Sequence, residues 1–71
     1  MGQEEVLLIL EKYKKPMSRG EIAKALEADM HLVSHAIQRL IKGDFIKIIE
    51  IDRYQAMERY RCKRRMRLYY V

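Results

Sequence analysis

The stretch from Met30 to Lys42 contains six side chains that donate or accept hydrogen bonds and share one side of a helix: His31, Ser34, His35, Gln38, Arg39 and Lys42. At 100° per residue they fall opposite Val33, Ile37, Leu40 and Ile41, with Ala36 at the edge of the apolar side. Such a stripe suits the edges of nucleic-acid bases. Arg39 matches guanine or a phosphate, Gln38 matches adenine, and the others suit backbone or water-mediated contacts. The plainer alternative is that a surface helix simply shows its polar side to water.

A second run with chemistry begins at Arg59. Read as a strand, it alternates: Arg59, Arg61, Lys63, Arg65 and Arg67 on one face, and Tyr60, Cys62, Met66, Leu68 and Tyr70 on the other. Arg64 intrudes on the apolar side. Five like charges on one strand face exceed what protection of a sheet edge requires, so this face is expected to lie along phosphates or reach into a minor groove. Tyr54, Tyr60, Tyr69 and Tyr70 could stack on bases, although strand spacing places Tyr60 and Tyr70 against a core.

Other chemistries find less support. His31 and His35 stand at i and i+4, but Leu32 occupies the position where a zinc protease needs Glu. A metal site completed by Cys62 would require a coincidence of folding, so no metal is expected. Basic neighbours could activate Cys62 for redox chemistry, whereas the alternation places it inside as a small hydrophobe. No nucleophile–base pair, phosphate-cradling glycine loop or pair of carboxylates is evident, so neither an enzyme nor a cofactor is expected.

The elements that must position these groups are legible from caps and periodicity. Val6, Ile9, Leu10 and Tyr13 recur at helical spacing within residues 3–14, and Pro16 ends that helix. Ser18 and Glu21 form a capping box that opens a short second helix through Ile22, Ala23, Ala25 and Leu26 to about Glu27. Asp29 caps the helix at 30–42, with Gly43 as its C′ residue. Beyond Gly43 the chemistry changes: residues 45–51 are rich in Ile and read as a strand. The segment 52–58 lacks Gly, Pro and Asn, so it is either a loose hairpin tip or a short helical excursion through Gln55, Ala56, Met57 and Glu58.

The chain has 71 residues, of which 49% are hydrophobic and 35% charged, enough for one small packed domain. Its net charge of +5 is distributed unevenly. Residues 1–51 balance eight basic against eight acidic side chains, whereas residues 52–71 set seven basic against Asp52 and Glu58. A polyanion is the natural partner of such an excess. The longest uninterrupted apolar run, Val6 to Leu10, is far short of the ~20 residues that span a membrane, and no signal peptide is expected. A single cysteine fits a reducing compartment, so the expectation is a cytoplasmic protein, nucleoid-associated if it binds DNA.

From Ser18 through Ile46 (SRGEIAKALEADMHLVSHAIQRLIKGDFI) the chain resembles winged helix-turn-helix transcriptional regulators of the MarR-like and ArsR-like groups, without a gap. Ile22, Ala23, Ala25, Leu26, Val33, Ile37 and Leu40 match the core positions of that motif, and Asp29 matches the cap of its recognition helix. The turn reads Glu27-Ala28 where the family often has Gly, and His35 stands where a basic residue is common. The resemblance implies an α+β fold, three helices followed by a two-stranded β-hairpin wing. The chain would form one domain over 1–71: helix 3–14, helix-turn-helix 18–42 and wing 45–70. It also implies a DNA-binding transcriptional regulator that contacts double-stranded DNA through His31, Ser34, His35, Gln38, Arg39, Lys42, Arg59, Arg61, Lys63, Arg65 and Arg67. A homodimer could form through Leu7 and Leu8, which leave the first helix apolar around most of its circumference. The competing readings are a protein-docking module of a transcription or replication assembly, and a binder of structured RNA.

Overall fold

Pro16 cannot continue a helix, and the capping Ser18 must be extended; together these decide how the chain enters its first turn-rich corner. The computed structural model describes residues 2–71. Helix α1 runs Gln3–Tyr13, with Glu4 and Glu5 in its first turn, where negative charge suits the helix dipole. Lys14 closes it in the left-handed region at φ 52°, so α1 stops one residue earlier than expected. Between Pro16 and the next helix, Met17–Ser18 form a two-residue strand, β1, too short to leave a periodic signal.

Helix α2, Arg19–Leu26, opens on the expected capping box. The Ser18 backbone N–H donates to Glu21 Oε1 at 3.0 Å, and the Glu21 N–H donates to Ser18 Oγ at 3.2 Å. The Glu27-Ala28 corner makes the same bend a glycine would make: Glu27 adopts φ 53°, and the Ala28 N–H donates to the Ala23 carbonyl at 2.9 Å. Helix α3, Met30–Lys42, matches its expected bounds, with the Asp29 side chain accepting from the His31 N–H at 2.7 Å. Gly43 does not act as the C′ residue. Its φ is −84°, and Asp44 takes the left-handed conformation at φ 62° instead. What Gly43 supplies is space, since a Cβ there would lie 2.6 Å from the Phe45 ring.

After β2, Lys47–Ile51, the chain takes the helical alternative rather than a loose tip: α4, Arg53–Tyr60, is longer than the excursion through Gln55–Glu58 and interrupts the hairpin expected over 45–70 before β3, Met66–Tyr70. Among the described residues the architecture is therefore α+β with four helices and a three-stranded antiparallel sheet ordered β1-β3-β2. The helix wins over strand at 53–60 for two reasons. Asp52 caps it, accepting from the Gln55 N–H at 2.8 Å, and Ala56 is fully buried beneath it.

Register decides which face of the sheet each side chain occupies. Tyr69 lies opposite Met17 and Ile48, while Leu68 lies opposite Ser18 and Ile49, and Met66 opposite Ile51. Met17 and Tyr69 face the main core, which Val6, Leu10, Ile22, Val33, Ile37, Leu40 and Ile46 build among α1, α2 and α3. Leu68, Ile51 and Met66 face the other way and are covered by Ala56, Tyr60 and Cys62. The three-helix layer thus packs on one face of the sheet, and α4 covers the other face around Ile51, Met66 and Leu68. Tyr69, rather than Tyr70, reaches the main core. Leu7 packs on that core as well, so of the two leucines only Leu8 is exposed. Among the described residues no helix is long and apolar enough to cross a membrane.

Candidate nucleic-acid interface

Burial of Val33, Ala36, Ile37 and Leu40 turns the opposite side of α3 outward. His31, His35, Gln38, Arg39 and Lys42 are all exposed there, while Ser34 is half-buried at one margin. Ser34 is held by a residue the sequence reading passed over: Arg19, in the first turn of α2, donates from Nη1 to Ser34 Oγ at 3.1 Å. At the other margin, His35 and Arg39 border a hollow against Gly2 and Gln3 at the start of α1. The position of Arg19 directly after a capping serine was the available clue, because it places the residue on the outward first turn of the helix preceding α3.

The five-residue cationic strand face does not exist. Arg59 lies in the last turn of α4, and Arg61 closes that helix in the left-handed region at φ 55°. Lys63 and Arg65 lie in the connection to β3, so only Arg67 occupies a strand. Helical period replaces strand period through residue 60, and the left-handed Arg61 then turns the chain, so alternation cannot carry through 59–65. Arg64 is no intruder on an apolar face; it is exposed in the same connection.

The cations gather in a different way. The antiparallel pairing of β1 with β3 brings the start of α2 beside the start of β3. There Arg19, Arg65 and Arg67 line a cleft of about 530 Å³ together with Ser18, Gly20, Met66, Tyr69 and Met30, the first residue of α3. Arg59 and Arg61 do not line it. A second hollow, of about 730 Å³, shares Arg65 and is lined otherwise by Asp52, Arg53, Tyr54, Lys63 and Arg64. Arg53, Arg64 and Arg19 were absent from the set expected from sequence.

Acidic neighbours do little to neutralise this end of the molecule. The one ion pair among the described residues joins Arg65 Nη1 to Glu50 Oε1 at 3.6 Å, with side chains 78% and 51% exposed. A pair so open to water contributes about 0–1 kcal/mol and leaves Arg65 free to reorient. Glu50 also lies directly opposite Arg67 across the β2–β3 pairing. On the α4 side, burial holds the Tyr60 hydroxyl above its usual pKa; hydrogen bonding to Glu21 and the charge of that carboxylate act in the same direction, and Arg59 opposes them.

His31 and His35 face outward on α3, while Cys62 is half-buried in the cluster under α4, so the structure does not bring the three together. Among the described residues no group of three or more His, Cys, Asp or Glu could hold a metal ion. No family model, curated protein or solved structure matches this chain.

Proposed function

We propose that this chain is a winged helix-turn-helix protein that binds double-stranded DNA, with α3 in the major groove and the cleft cations on the phosphate backbone. One observation supports this above the others. Arg19 is distant in sequence from Arg65 and Arg67, yet the three converge beside the first residue of the helix whose outward side is made of hydrogen-bonding groups. Convergent cations raise the local potential, and a polyanion relieves it. Three helices followed by antiparallel β2 and β3 have the element order of such a domain, with β1 added to the sheet and α4 standing where the hairpin tip would be. Gln38 and Arg39 would read base edges, Lys42 and the cleft arginines would position the duplex, and transcriptional regulation would follow from selective binding.

A second reading, a protein-docking module, is favoured by exposed Phe45, Ile48 and Ile49 on and beside the edge strand β2. Anisotropy titrations with duplex DNA and with structured RNA, repeated on an Arg65→Ala/Arg67→Ala variant, separate the readings. The expected result is duplex binding that the variant weakens for all sequences alike. Unchanged binding in the variant, or no duplex binding at low salt, would leave docking through β2 as the better account.

A further inference from the structure

Beyond the α3 face, the hollow between the start of α4 and the connection to β3 has the composition of a site for an unpaired nucleotide. Tyr54 is 71% exposed, so it serves no core. The Arg53 guanidinium stands 5.2 Å from its ring centroid and donates from Nη2 to its hydroxyl at 3.3 Å, which steadies the ring at the cleft. Facing them are three consecutive cations, Lys63, Arg64 and Arg65. Asp52, the one acid on the lining, is already engaged in capping α4 through the Gln55 N–H. The volume of about 730 Å³ lies within the range of small-ligand sites.

A phosphate alone would need the cations and not the aromatic ring, whereas a base within a duplex has no free face to offer it. An exposed ring beside a cationic wall therefore selects a base that is not paired, with its phosphates. We propose that this cleft binds an unpaired nucleotide, its base stacked on Tyr54 and its phosphate held by Lys63, Arg64 and Arg65. The source is a single-stranded segment or a free nucleotide. Because Arg65 also lines the cleft beside α3, a strand can continue from one basic surface to the other. The site does not depend on duplex binding by α3.

The test uses the whole chain and a fluorescein-labelled oligothymidylate of about eight nucleotides, titrated by anisotropy at about 50 mM salt. Loss of one stacked base should weaken the Tyr54→Ala variant about 5- to 150-fold, while Tyr54→Phe stays within about twofold of the parent. Gln38→Ala should leave the oligothymidylate affinity unchanged, whereas it should alter binding to a closed dumbbell duplex that lacks ends. Thymidine monophosphate displacing the label would support a free nucleotide as ligand; displacement by unlabelled oligothymidylate alone would support a strand. Unaltered affinity in Tyr54→Ala, equal loss in Gln38→Ala, displacement by polyglutamate as efficient as by oligothymidylate, or no binding of either nucleotide form would overturn the proposal.

Discussion

Salt dependence is the sharpest probe of the proposed duplex interface, because it counts the cations that meet phosphates. Arg19, Arg65 and Arg67 line the cleft beside α3, and Lys42 stands exposed on α3 itself. If each of these neutralises one phosphate, log K should fall against log salt with a slope of about −3.6. Between about 50 and 200 mM salt this amounts to a loss of roughly 150-fold in affinity. Replacing Arg65 and Arg67 together with Ala should flatten the slope to about −1.8, a loss of roughly 12-fold over the same range. Both side chains are exposed, and the only ion pair removed is the loose contact of Arg65 with Glu50, so folding should be little affected. Anisotropy of a labelled random duplex in a potassium chloride series, with thermal melts as a folding control, measures both slopes. Arg59→Ala/Arg61→Ala is the discriminating comparison: neither residue lines the cleft, so its slope should stay near about −3.6. Equal flattening by the two double variants, or no flattening by the first, would refute the assignment of the cleft to phosphate.

Gln38→Ala and Arg39→Ala should change which sequences are preferred, each costing about 1–3 kcal/mol of discrimination at one base pair, as measured by selection from a randomised duplex library. Asp52→Ala removes the cap of α4 and should lower stability by about 0.5–2 kcal/mol in urea unfolding, with the largest gain in amide exchange at residues 53–60. For Tyr60, the folded pKa lies above the ordinary 10.0, so its contribution is complete below that pH and is lost as pH rises through the folded value. Tyr60→Phe should therefore show a smaller fall in stability above about pH 10 than the parent chain, in denaturation series across alkaline pH.

The helical half was legible because each of its signals is local. The Ser18–Glu21 box, the Asp29 cap and the 3.6-residue spacing of Val33, Ile37 and Leu40 each act within a few residues, and α3 lies where they place it. The C-terminal half depends on contacts distant in sequence. Two residues of β1 become a strand only because β3 pairs with them. Residues 53–60 have little hydrophobic pattern of their own, and their helix is decided by Asp52 at one end and by Ala56 against Ile51 and Leu68. The site divides in the same way. The outward side of α3 follows from periodicity, whereas the meeting of Arg19 with Arg65 and Arg67 follows from sheet topology, which alternation in a single segment cannot reveal.

The strands themselves did carry a sign of α4. A hairpin covered on one side alternates apolar with polar, yet β3 reads Leu68-Tyr69 in succession, and the two join different apolar clusters. Consecutive apolar residues point to opposite faces, so both faces must be covered, and three helices on one side can cover only one of them. A further layer was therefore required, and the only chain between the two strands is 52–65. Once α4 occupies the back of the sheet, the cations can no longer be spread along a strand. Arg61, Lys63, Arg64 and Arg65 gather in the short connection 61–65 and Arg67 at the start of β3, the end of that strand beside which α2 begins. The pairing of β1 with β3 then sets Arg65 and Arg67 beside Arg19.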